Sequence, residues 1–129
     1  MSVNKEMKVL IVDDYQTMRR VICNLFNQIG FEGTLEAGTT HEALDLLKKE
    51  GSCGLIVFDW HTGPMKGEDF LAAVRADEAL KDIPFVVVSS ESSDAQFAAM
   101  KEVGVSDFIA KPFTKATLKK RMMNLFGSF

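Results

Sequence analysis

Acidic, hydroxyl and amino side chains stand in this sequence directly after short apolar runs. Asp13 and Asp14 follow Lys8-Val9-Leu10-Ile11-Val12, Asp59 follows Leu55-Ile56-Val57-Phe58, Ser89 follows Phe85-Val86-Val87-Val88, and Lys111 follows Phe108-Ile109-Ala110. Singly, an acid or a serine in such a place is a turn or cap former. Together they make a carboxylate pair, a lone carboxylate, a hydroxyl and an amine, which is a set with a definite chemistry wherever it is gathered. Ionised carboxylates crowded into a small volume repel one another, so a pKa rises or the fold is destabilised unless a cation compensates. Oxygen donors with no convergent His or Cys suit Mg²⁺, which keeps several waters and takes further ligands from a phosphate. The residue types therefore point to a metal working on a phosphoryl group.

Whether these residues meet depends on the elements between them. After the first apolar run, Met18, Val21, Ile22, Leu25, Phe26 and Ile29 recur at helical spacing until Gly30. Gly33-Thr34-Leu35-Glu36-Ala37 reads as a short edge strand with one wet face. Thr39 and Glu42 form a capping box ahead of Ala43, Leu44 and Leu47, and Gly51 closes that helix. Further helices carry Phe70, Leu71 and Val74, then Phe97, Met100 and Val103, then Leu118, Met122, Leu125 and Phe126. Strands that are apolar throughout need both faces covered, so the alternation predicts an α/β fold: a doubly wound, five-stranded parallel sheet with five helices in two layers. Ligands of such sheets bind beyond the carboxyl ends of the strands, where the acids, the serine and the lysine stand.

The remaining composition narrows the function. A chain of 129 residues with 47% hydrophobic and 26% charged residues is expected to fold as one domain, 1–129, around one core. A net charge of −3 leaves no electrostatic footprint for nucleic acid or an anionic membrane surface. The apolar runs are strand-sized and the polar start Met1-Ser2-Val3-Asn4-Lys5-Glu6 lacks the apolar stretch of a secretory signal, so a cytoplasmic location is expected. Cys23 and Cys53 lie in no metal-ligand or CxxC spacing and are read as reduced thiols without assigned chemistry.

Val12-Asp13-Asp14, Asp59, Ser89-Ser90 and Lys111-Pro112-Phe113 resemble the motifs of response-regulator receiver domains, and the resemblance spans about Met7 to Phe126. Asp13-Asp14-Tyr15-Gln16-Thr17-Met18-Arg19-Arg20, Asp59-Trp60 and Lys111-Pro112-Phe113-Thr114-Lys115-Ala116-Thr117-Leu118 are similar to the chemotaxis members in particular. The resemblance implies the sheet order 2-1-3-4-5, which is carried over from the family. It implies that Asp59 accepts phosphate from a chemotaxis-type histidine kinase, with Mg²⁺ held directly by Asp14, Asp59 and the main-chain carbonyl of His61, and by Asp13 largely through water. Lys111 then neutralises the transferring group, Ser89 is the switch hydroxyl, and Phe108 is the aromatic that packs inward on activation. A flagellar motor switch protein is the implied target, met by the surface around Phe108, Ile109 and Arg121, and the protein is expected to be a monomer that catalyses only its own phosphorylation and dephosphorylation.

The sequence also departs from the family. Receivers run Asp-x-x-Met-Pro-x-Met-x-Gly from the acceptor, whereas here the stretch is Asp59-Trp60-His61-Thr62-Gly63-Pro64-Met65-Lys66-Gly67, so glycine stands where proline is usual and the metal affinity is open. The His61 side chain and Glu91 either tune attack of water on the phosphoryl group or are solvated loop residues. His41 is expected to be exposed near a helix start, and Trp60 to be a surface aromatic beside the site. Lysines mark the start of the fourth helix in the chemotaxis relatives, but this chain has Ser92-Ser93-Asp94-Ala95-Gln96, while Lys115, Lys119, Lys120 and Arg121 make the last helix basic. Weak binding to the motor switch is expected, leaving a phosphate sink or a non-flagellar target as the alternative. A Mg²⁺-dependent phosphohydrolase of the haloacid-dehalogenase kind would need an acid where His61 stands, a flavodoxin-like carrier would need a glycine loop after the first strand, and a degenerate scaffold would lack some of the key residues.

Overall fold

A computed structural model describes residues 7–51, 53–60, 67–89, 94–111 and 113–127. Strands and helices alternate as β1 (Lys8–Val12), α1 (Gln16–Gln28), β2 (Gly33–Ala37), α2 (Thr40–Glu50), β3 (Cys53–Asp59), α3 (Gly67–Ala76), β4 (Phe85–Ser89), α4 (Asp94–Glu102), β5 (Asp107–Ala110) and α5 (Lys115–Phe126). The five strands are parallel in the order β2-β1-β3-β4-β5, as expected. β3 begins two residues earlier than its apolar run and includes Asp59, and β4 includes Ser89, so both residues are held by strand backbone.

Strand side chains alternate between two apolar layers. Leu10, Val12, Ile56, Phe58, Phe85, Val87 and Phe108 face the buried residues of α2 and α3 and Met100 of α4. Val9, Ile11, Leu55, Val57, Val86, Val88 and Ile109 face Ile22, Cys23 and Phe26 of α1 and Leu118 and Met122 of α5. Each fully buried aliphatic or aromatic side chain contributes about 1.5–3 kcal/mol, which is why a sheet covered on both faces tolerates unbroken apolar strands. Two positions at helical spacing do not join this core. Val21 is 45% exposed on the outer side of α1, and Val103 lies beyond the end of α4, 51% exposed.

The capping signals operate as read. Thr39 Oγ1 accepts the Glu42 N–H at 3.1 Å, and Gly51 ends α2 at φ +68°, a left-handed conformation that favours glycine. Gly67 has a different reason to be glycine. A Cβ there would lie 2.8 Å from the Trp60 ring and 3.0 Å from Phe58, so its bare backbone lets the residue after Asp59 pack against the start of α3. Trp60 is accordingly half-buried, edge-on to Phe58 at 6.2 Å, where the sequence suggests a surface ring.

Candidate functional site

The register sets the site. Val12 pairs with Ala37 and Phe58, Asp59 with Val88, and Ser89 with Ala110, so Asp13, Asp59, Ser89 and Lys111 come at or just past the ends of adjacent strands. Backbone bonds extend the ladder beyond the strands. The Asp13 N–H donates to Ala37 O at 3.1 Å, the Trp60 N–H to Val88 O at 3.2 Å, and the Lys111 N–H to Ser89 O at 2.8 Å. The carboxyl edge is therefore a continuation of the sheet, with the chemistry-bearing residues fixed by main chain.

Lys111 reaches across from β5 and donates from Nζ to Asp59 Oδ2 at 2.7 Å, with both side chains mostly shielded from solvent. Asp13 is fully buried and Asp59 is 8% exposed. Asp13 Oδ1 accepts the Tyr15 N–H at 2.8 Å, but Asp13 Oδ2 is buried with no hydrogen-bond partner. Burial first, and then the neighbouring Asp59 charge, push the Asp13 carboxyl up to about 6, against the lowering effect of the Tyr15 N–H and Lys111. The two carboxyls are close enough for a shared proton to add to that rise, so the unsatisfied oxygen and the raised pKa have one cause: a buried acceptor that lacks a proton or a cation.

Asp14, the next residue after Asp13, is exposed, and Ser89 is fully buried at the end of β4. Among the described residues, no three His, Cys, Asp or Glu side chains converge closely enough to hold a metal alone. Mg²⁺ rarely needs them to, because it binds through one or two carboxylates and completes its shell with water and phosphate oxygens. The partnerless Asp13 Oδ2 beside Asp59 fits such an ion. His61, with its carbonyl and side chain, Gly63-Pro64 and Glu91 lie outside the described residues.

Phe108 is buried in the α2/α3/α4 layer, with its ring centroid 5.8 Å from that of Phe97 on α4. Ile109 corrects the sequence reading of an outward surface: it is 1% exposed and packs in the α1/α5 layer, because strand parity points it to the face opposite Phe108. Arg121 remains partly exposed and pairs with Asp107 Oδ1 at 3.3 Å. His41 is exposed. Arg19, whose guanidinium lies 2.8 Å from the Asp13 carbonyl, has no visible role in the one-dimensional pattern.

The response regulator receiver domain model matches residues 9–123. Chemotaxis protein CheY-3 of Vibrio cholerae serotype O1 is 44% identical over 123 residues, spanning 95% of this chain and 94% of its own. Chemotaxis protein CheY of Pseudomonas aeruginosa is 42% identical over 120 residues, spanning 93% and 96%. Among solved structures, the chemotaxis response regulator CheY4 of Vibrio cholerae superposes with a TM-score of 0.85 at 28% identity, covering 93% of this chain and 98% of its own.

Proposed function

The chain belongs to the response regulator receiver domain family, as a CheY-like phosphoryl-accepting signalling module, and on that footing we propose that Asp59 is its acceptor and Mg²⁺ its cofactor. The observation that carries the assignment is the Lys111 Nζ to Asp59 Oδ2 contact of 2.7 Å beside the buried, partnerless Asp13 Oδ2. It is an acid site with one cation built in and room in its electrostatics for another.

The kind of partner that supplies the phosphoryl group is a histidine kinase. An Asp59 carboxylate oxygen bonds to phosphorus as the bond to the kinase imidazole breaks, the imidazole leaves with the electron pair and takes up a proton, and an acyl phosphate remains. Asp14 and Asp59, with the His61 carbonyl, would hold Mg²⁺ directly and Asp13 largely through water, and the ion when bound supplies charge to offset the phosphoryl oxygens. Lys111 moves from the carboxylate oxygen to a phosphoryl oxygen and keeps an ion pair throughout. Ser89, one strand over, turns its hydroxyl to another phosphoryl oxygen, and the Phe97/Phe108 contact joins that change to α4. The receiver is a signalling protein and not a conventional enzyme, and the catalysis we assign to it is limited to its own phosphorylation and dephosphorylation. Among the described residues no helix is long and apolar enough to cross a membrane, and we place the protein in the cytoplasm as a monomer.

Acetyl phosphate with Mg²⁺ tests the acceptor. Intact-mass analysis is expected to show a single phosphoryl addition to wild type and none to Asp59→Asn; equal modification of both would refute the assignment.

For the target, Ser92-Ser93-Asp94-Ala95-Gln96 favours a phosphate sink or a non-flagellar partner over the motor switch, because lysines expected to meet an acidic switch segment are absent there. Reversing one rim charge changes a contact by about 1 kcal/mol, and several such changes lower occupancy substantially. Titration of a motor-switch peptide against the beryllofluoride-loaded protein, in which the fluoride complex stands in for the phosphoryl group on Asp59, is expected to show weak binding. Micromolar affinity gained on loading would restore the motor as target.

A further inference from the structure

Asp13 is pinned at three of its four polar groups. Its N–H bonds to Ala37 O of β2, its Oδ1 accepts the Tyr15 N–H, and its carbonyl oxygen accepts Arg19 Nη1 at 2.8 Å, leaving Oδ2 as the one group turned to the acid pocket without a partner. The third pin is the unusual one. The carbonyl lies past the end of β1, where no backbone N–H among the described residues donates to it, and a side chain from the first turn of α1 comes back to hold it. The guanidinium is itself held from the other side: Arg19 Nε donates to Glu36 Oε1 of β2 at 3.0 Å, and Arg20 Nε lies 3.7 Å from the same oxygen. Arg19 is 16% exposed against 65% for Arg20, so Arg19 is the built-in member of the pair.

We propose that Arg19, anchored by Glu36, is a positioning residue for Mg²⁺ binding: it fixes the peptide between Asp13 and Asp14 and so sets the direction of both acids. The inference rests on the receiver reading of the acid pocket. A fork-shaped guanidinium suits the task because it spans a carbonyl and a carboxylate in one plane, which the single ammonium of lysine does not do. Charge and positioning make opposite predictions when this residue is removed. Loss of a cation near an acid site strengthens metal binding on charge grounds alone. Loss of a positioning contact weakens it, as loss of outer groups that orient metal ligands generally does.

The experiment uses the full chain as wild type, Arg19→Met, Arg19→Lys and Glu36→Gln. Mg²⁺ affinity is measured by calorimetry, acetyl phosphate labelling is followed across Mg²⁺ concentrations, and urea unfolding in chelator reports stability. Arg19→Met is expected to raise the Mg²⁺ Kd about tenfold and the half-saturating Mg²⁺ for labelling by the same factor, with the plateau rate changing less than about twofold. Arg19→Lys and Glu36→Gln are expected to move the Kd the same way by about threefold. An Arg19→Met protein that loses stability but binds Mg²⁺ as tightly as wild type, or more tightly, would reduce Arg19 to a structural staple and overturn the inference alone. If that variant does not fold, unchanged affinity in Glu36→Gln is the overturning result. A wild type that neither binds Mg²⁺ nor accepts a phosphoryl group would overturn both this inference and the receiver assignment of the pocket.

Discussion

Asp13→Asn should stabilise the metal-free protein at neutral pH. In the folded state the Asp13 carboxyl is raised from 3.8 to about 6, first by burial and then by the Asp59 charge. Each pKa unit is worth about 1.4 kcal/mol, so ionising Asp13 in the folded protein costs roughly 3 kcal/mol more than in the unfolded chain. Because the folded pKa is the higher one, the folded state binds more protons between about pH 4 and 6. Stability attributable to Asp13 is therefore fully present below pH 3.8 and is lost as pH rises through about 6. Asparagine keeps an Oδ1 to accept the Tyr15 N–H, has almost the same volume, and replaces the partnerless Oδ2 with a donor beside Asp59. Relaxation of the charged site reduces the full figure, so the expected gain is about 2 kcal/mol at pH 7.5. Urea unfolding in chelator at pH 7.5 and pH 4.0 measures it: the variant should be the more stable at the higher pH and nearly equal to wild type at the lower. In excess Mg²⁺ the order should narrow or invert, since a ligand at a hundredfold its Kd stabilises wild type by about 2.7 kcal/mol. A variant less stable than wild type at pH 7.5, or a difference independent of pH, would refute the view that uncompensated burial of this carboxylate limits the apo protein.

Gly67→Ala brings a Cβ to 2.8 Å from Trp60 and 3.0 Å from Phe58. It should cost about 1–3 kcal/mol in urea unfolding and alter Trp60 emission in the folded state; a neutral change would show that the Trp60 ring yields freely. Adding Mg²⁺ should perturb Trp60 fluorescence in wild type, because Asp59 precedes it in sequence, and Asp14→Ala should remove most of the response. A silent tryptophan while calorimetry records binding would separate metal coordination from the Trp60 packing.

The sheet, its helix layers and the row of acids were readable because each depends on a local period. Apolar runs such as Phe85-Val86-Val87-Val88 and their spacing by helices imply a buried parallel sheet, and residues just past the runs fall at its carboxyl edge. The caps at Thr39 and Gly51 were readable for the same reason, being signals within a few residues. The strand order was not: it comes from the family likeness, since nothing within a run says which run lies beside it. The order was then decisive, because only β1 flanked by β2 and β3 puts Asp13 against both Ala37 and Asp59.

What escaped the sequence are interactions requiring two elements at once. Ile109 and Phe108 are adjacent apolar residues in a four-residue strand, and the pattern gives no means of assigning one to each helix layer; only the packing of Leu118 and Met122 on one side and Phe97 on the other does so. Arg19 and Glu36 are separated by seventeen positions, and each alone reads as a solvated charge. Glu36 on β2 holds the Arg19 guanidinium, which in turn holds the Asp13 carbonyl, a group with no identity in the sequence at all. The acids of this pocket can be found by residue type, but their aim is set by such backbone contacts. A sequence that kept Asp13, Asp14 and Asp59 yet lost the fork at Arg19 would still look like a complete receiver, and the difference would be visible only in how tightly it held its metal.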